Sequence, residues 1–356
     1  MLVSFFVSFF AVLFTHFEEG KRFVIKHGMM FGFFLLFLFM SFRYNFGNDY
    51  TSYLSMFYDV ADGNFINERV ESGWILLYKL FFPIGFFGFI ILTSFLYCFV
   101  FYRTIRSYVP KYFWWISVFF LVFNASHLIL GLSMMRQFMA MVLFLLSTIL
   151  IIRGNFFLYV VSIILISQIH SSAILLLPMY FLRYKNISYP AYLIVFLLIF
   201  YVLWFFLAYY LMGGVLNQVV QLLKLDKYEG YIVGEQARYA ISLPIDLLVY
   251  MYIMKYYHRQ NSLYKLFFNL IIVGLYLSPI VSLAPGMGRL IFYFSLFSIF
   301  VYPKIYQCIN NSFERFIFLF LLITLTVYRF FLFFINPIWY ETVYKYHTIF
   351  EAPNWM

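Results

Sequence analysis

The chain has 356 residues, with 52 Phe, 33 Tyr and 6 Trp against 24 basic and 14 acidic side chains, so 26% are aromatic and only 11% charged. A soluble domain carries roughly 25% charged residues; here 65% hydrophobic residues and a mean hydropathy of +0.90 leave too little polar surface to cover a water-soluble globule. The same composition excludes disorder, collagen, coiled coils and disulfide scaffolds, and makes lipid the expected solvent.

Leu2–Phe17 is the first apolar run. No Lys or Arg precedes it, and Lys21, Arg22 and Lys26 follow, which suits an uncleaved first span with its N-terminus outside. A helix needs about 20 apolar residues to cross a bilayer. Stretches free of Asp, Glu, Lys and Arg at 27–42, 80–102, 112–135, 137–152, 154–182, 186–223, 266–288, 290–303 and 316–328 mark further spans, and 239–254, interrupted only by Asp246, adds another. The 154–182 run is either one tilted crossing or two short ones joined near Gln168–Ser172, where polar residues cluster. Taking two predicts an all-α polytopic integral membrane protein, a single transmembrane domain over residues 1–356 built as a bundle of about 12 transmembrane segments.

With the N-terminus outside, the inner loops collect Lys21, Arg22, Lys26, Arg103, Arg106, Lys111, Arg153, Arg183, Lys185, Lys255, Arg259, Lys265, Lys304 and Arg315, against Glu18, Glu19 and Glu314. The net charge of +10 is thereby a positive-inside signal and not a nucleic-acid footprint. Two long extracytoplasmic loops result, at about 43–79 and 212–238. Cys98 and Cys308 lie in or beside apolar runs without metal-ligand neighbours and read as small buried hydrophobes.

Charges within spans carry the functional information, because Arg, Lys or Asp at a helix centre costs roughly 2.5–3.5 kcal/mol on insertion scales. Arg136, Arg238, Arg289 and Arg329 are all placed near the outer interface on separate segments. Each alone is explained by snorkelling to headgroups; together they suit a diphosphate, which the planar guanidinium fork recognises. Gly286 and Gly288 beside Arg289 would admit an anion to backbone N–H groups. In the first outer loop, Asp49 in Arg43-Tyr44-Asn45-Phe46-Gly47-Asn48-Asp49-Tyr50 and Glu71 in Glu71-Ser72-Gly73-Trp74 sit among aromatics. Carboxylates bind or deprotonate hydroxyls and flat aromatic faces pack on sugar rings, although an interfacial aromatic belt looks the same. His170 is a general-base candidate at neutral pH. Asp246, two residues past Pro244, reads as a bundle hydrogen-bonder.

Arg43-x-x-x-Gly47-x-Asp49-Tyr50, Glu71-x-Gly73, the Arg136 segment and Gln168-x-His170-x-Ser172-Ala173, in that order, resemble EpsG-like polysaccharide polymerases, which belong to the broader Wzy type. Gly288-Arg289-x-x-x-Tyr293 is similar to that family's second-half Gly-Arg segment; Asn48 departs from the small hydroxylic residue usual before the Asp. The resemblance implies a GT-C-like architecture in the bacterial cytoplasmic (inner) membrane, with the site facing the exterior. It implies transfer of a growing glycan from undecaprenyl diphosphate to a hydroxyl of a second lipid-linked repeat unit, so that undecaprenyl-diphosphate-linked oligosaccharide is both donor and acceptor, among membrane lipids and with a possible chain-length regulator as partner. Arg136, Arg238 and Arg289 would take the diphosphate; His170 and Asp49 compete as base, with Glu71 as orienter or alternative. Arg43, Tyr50, Trp74, Gln137, Tyr239 and Tyr293 are the expected substrate contacts. No cofactor and no metal are expected, since no cluster has metal-ligand spacing. A lipid-linked glycan ligase and a flippase or exporter are the competing readings; a membrane O-acyltransferase is a weaker one.

Overall fold

The computed structural model describes residues 1–18, 25–63, 70–184, 191–211, 246–281 and 288–351. Their regular elements are helices except for one two-stranded antiparallel pair, β1 (Arg43–Tyr44) with β2 (His347–Thr348). Two compact units are formed, Met1–Leu177 with Ser298–Met356, and Pro178–Phe297. By length and composition, Ser72–Tyr108, Met135–Arg153, Arg289–Cys308 and Ser312–Ile335 are long and apolar enough to cross a membrane, and several shorter apolar helices accompany them. The chain is a multi-pass membrane protein.

On the first helix the burial pattern is the reverse of a soluble helix's. Helix α1 (Leu2–Phe17) buries Ser4, Ser8, Ala11 and Thr15 and turns Leu2, Phe6, Phe9 and Phe10 outward. Small residues let backbones approach where lipid tails supply no hydrophobic drive between helices. Helix α2 (Gly28–Ser41) uses that seam: a Cβ on Gly32 would stand 2.7 Å from the Ala11 carbonyl oxygen, and one on Gly28 would overlap the Phe14 carbonyl.

Two expectations change on folding. Residues 43–79 are not an open loop but carry α3 (Tyr50–Ala61) and most of α4 (Ser72–Phe81). Tyr50, Tyr53, Leu54, Phe57 and Val60 recur at helical spacing and form the buried face of α3, which the interspersed polar residues disguised. Pro83 and Gly85 (φ 73°) then turn the chain into α5 (Gly85–Tyr108). The run 112–135, read as one span, is broken into α6 (Trp114–Phe123) and a short α7 (Ile129–Ser133), with α8 (Met135–Arg153) following. Asn124 and His127 cause the first break by serving the local backbone: Asn124 Oδ1 accepts from Ser126 N–H at 3.2 Å, and His127 Nδ1 lies 3.0 Å from the Phe120 carbonyl oxygen. The 154–182 run does bend where its polar residues cluster. Helix α9 (Phe156–Ser167) ends, and a 3-10 stretch (Ser171–Tyr184) returns beside it, with the Tyr159 hydroxyl donating to the Leu176 carbonyl at 2.6 Å. At 1.5 Å per residue α9 is only about 18 Å long, short of the roughly 30 Å hydrocarbon core. The loop expected at 212–238 lies outside the described residues.

In the second unit the Tyr201 hydroxyl donates to Asp246 Oδ2 at 3.5 Å and lies 3.4 Å from Ser278 Oγ. Trp204 Nε1 donates to the Tyr276 carbonyl, and the Tyr276 hydroxyl donates to that of Leu197. Asp246 is a bundle hydrogen-bonder here.

Candidate active site

The break between α7 and α8 falls at Met134, so Arg136 stands in the first turn of α8 and its backbone N–H points at the Tyr53 hydroxyl, 3.5 Å away on α3. Glu71 occupies the residue before α4 in an extended conformation (φ −66°, ψ 139°) and directs its carboxylate to the same place. Arg136 Nη1 donates to Glu71 Oε2 at 2.5 Å, and the two side chains are 22% and 13% exposed. On the other carboxylate oxygen converge the Ser171 backbone N–H, at 2.8 Å, and His170 Nδ1, at 3.4 Å. Residues separated by 65 and 99 positions in sequence thus share one carboxylate.

Burial pushes the Glu71 carboxyl up, but the hydrogen bonds from His170 and from the Ser171 and Glu71 backbone N–H groups, with the Arg136 charge, outweigh it and hold the group at about 2. Glu71 is therefore ionised at neutral pH and a feeble base. With Nδ1–H donating to the Glu71 carboxylate, a neutral His170 carries its lone pair on Nε2, the arrangement in which a carboxylate orients a basic imidazole. Arg136 Nε is buried without a partner among the described residues.

The remaining expected residues separate into distinct places. Asp49 precedes α3 and donates its backbone N–H to Ser133 Oγ at 3.4 Å; its charge reaches the Tyr53 hydroxyl, which Arg136 also faces. Arg43 is fully enclosed: Nη1 donates to the Met40 carbonyl and, at 3.4 Å, to Ser94 Oγ, while Nη2 lies 3.4 Å from Met135 Sδ. It ties α2 and α5 to the start of α8 and offers a substrate nothing. Tyr50, Trp74, Gln137 and Tyr293 are buried as well. Trp74 is fully enclosed, with Tyr53, Tyr78 and Phe89 rings centred 5.3–5.9 Å away, so no sugar stacks on it here. Arg289 is exposed on the Gly288–Ser295 helix of the second unit. Arg238 and Tyr239 lie outside the described residues.

Tyr53 and Ser171 are site residues that sequence reasoning passed over. Tyr53 follows Tyr50 by one helical turn on the buried face of α3, a readable signal. Ser171 acts through its backbone N–H, which no side-chain pattern reveals. Beside the cluster, α4 and the end of α9 bound a cleft of about 380 Å³ lined by Leu76, Leu77, Leu165 and Ile169, with Ser72, Gly73 and Gln168 at its polar end.

A model of the EpsG family matches residues 28–348. The chain belongs to the EpsG family. No curated protein and no solved structure matches it. The EpsG match takes in the Asp49, Glu71, Arg136 and His170 segments and extends to β2, the strand that holds the end of the chain against β1.

Proposed function

We propose that this EpsG-family protein is a polysaccharide polymerase of the cytoplasmic membrane, transferring a growing glycan from undecaprenyl diphosphate to a hydroxyl of a lipid-linked repeat unit on the outer face. The observation that carries the reading is the Glu71 carboxylate shared by Arg136, the Ser171 N–H and His170. It joins a cation, an ionised orienting acid and a correctly held imidazole in one half-buried spot, as displacement of a diphosphate by an alcohol requires.

In the proposed step, His170 Nε2 takes the proton from the acceptor hydroxyl while its oxygen attacks the anomeric carbon of the donor. A new glycosidic C–O bond forms, the C–O bond to the diphosphate breaks, and the electron pair leaves with the lipid diphosphate. Diphosphate is already a good leaving group, so the main demand is for fixed positive charge where its anion develops. Arg136 supplies that in this reading, with Arg289 and Arg238 proposed to assist. Glu71 is the orienter and His170 the base, in preference to Asp49. The apolar cleft between α4 and α9 suits the isoprenoid portion of a lipid-linked substrate. Holding two large substrates together contributes acceleration of its own. Metal independence belongs to the same proposal.

The test is elongation of undecaprenyl-diphosphate-linked repeat units by purified protein in a chelator. Lengthening chains and released undecaprenyl diphosphate, both lost in His170→Ala and Arg136→Ala, are expected. Transfer only to a lipid core would make the protein a ligase, and strict dependence on a divalent ion would overturn the metal-free mechanism.

A further inference from the structure

Helix α4 and the turn that carries His170 cap each other. The first N–H groups of a helix have no partner within it. In α4 the Trp74 N–H, besides its local bond, donates to the Gln168 carbonyl at 3.2 Å. In return the Ser171 N–H, at the start of the 3-10 stretch, donates to the carboxylate of Glu71, the residue preceding α4. A side-chain bond from Ser72 Oγ to Gln168 Oε1 at 2.8 Å spans the same junction. Closeness is possible because residue 73 has no side chain: a Cβ on Gly73 would stand 2.6 Å from the Gln168 carbonyl oxygen and 2.9 Å from its carbon. Backbone is what it would strike, and backbone cannot swing aside as a side-chain tip does.

We infer that Gly73 and the Ser72–Gln168 bridge are positioning residues, acting through Glu71 to hold His170 in its working place. This rests on the polymerase reading for the role of His170, but the clamp itself is geometric. Moving the turn by the ångström that a methyl group demands removes Ser171 and His170 from Glu71 together, leaving Arg136 as the carboxylate's remaining partner. Loss of an ångström of registration at a reacting group costs on the order of a hundredfold in rate.

The experiment measures Gly73→Ala alone and combined with Glu71→Gln, normalised to monodisperse purified protein. Gly73→Ala is expected to lower kcat at least tenfold, a larger change than any rise in KM from its place in the cleft lining, and to add little to the kcat loss in the Glu71→Gln background, since both act through one carboxylate. Multiplying effects, or full activity in Gly73→Ala, would overturn the inference. Should Gly73→Ala not accumulate as folded protein, Ser72→Ala carries the test: a severalfold kcat loss that Ser72→Thr, which keeps the hydroxyl, restores. Equal activity of Ser72→Ala and wild type would then sink it. His170→Ala is run alongside. Undiminished polymer from His170→Ala refutes the assignment of His170 as base, whereas an inactive His170→Ala beside a fully active Gly73→Ala refutes the clamp alone.

Discussion

At Glu71 the balance of burial against hydrogen bonds decides the charge state, and the bonds win. A depressed carboxyl stabilises the fold fully above its unfolded value, near 4.5, and loses that contribution as pH falls through about 2. The stability difference between wild type and Glu71→Gln should therefore be constant from pH 8 down to about 5 and shrink below that, as read by thermal unfolding in detergent. Glu71→Gln leaves Arg136 without its anion in a site where the two side chains are mostly buried, a loss of about 1–3 kcal/mol. His170→Ala removes the proposed base and should lower kcat by about 10²–10⁴. Arg43 presents the opposite case: a guanidinium sealed behind the site. Arg43→Ala should destabilise the fold by about 2–5 kcal/mol while leaving kcat and KM per folded molecule unchanged. A raised KM would return Arg43 to substrate binding.

Among the elements, close approach is set by small residues. Gly32→Leu forces a branched side chain into the Ala11 backbone and should separate α1 from α2, seen as loss of monodisperse protein in detergent. Phe31→Leu, on the outward face of the same helix, should be silent. The 43–49 segment is held from two sides. A Cβ on Gly47 (φ 106°) would stand 2.8 Å from Ser133 Cα, at the end of α7, and the Gly47 N–H donates to the Thr342 carbonyl at 3.0 Å. Thr342 Oγ1 also donates to Asn48 Oδ1, and the Tyr346 hydroxyl donates to the Phe39 carbonyl at 2.7 Å. Segments nearly 300 positions apart thus meet at the residue preceding Asp49. Asn48, the departure from the family's usual hydroxylic residue, has found a hydroxyl partner in Thr342.

For the whole molecule, topology is the deciding measurement. Reporter fusions at Lys185 and at Lys224 should report the inside and the outside respectively, if the bent 154–182 segment returns the chain as two short crossings. The reverse pattern, Lys185 outside and Lys224 inside, would make 154–182 a single crossing.

Composition by itself pointed to lipid as the solvent, and the long charge-free runs pointed to helices, which satisfy their own backbone there. Residue chemistry also marked Glu71, Arg136 and His170, because charge and imidazole are conspicuous among apolar residues. Only the tertiary structure brought them together, since contacts across 65 and 99 positions leave no local periodicity to read. Burial was equally hidden. Arg43 and Trp74 have the side chains of a sugar site, yet packing encloses them, while Ser171, and Gln168 in part, serve through backbone atoms that every residue possesses. Side-chain type announces what chemistry a position can perform; which positions face a shared space is settled by how helices break, cap and approach one another.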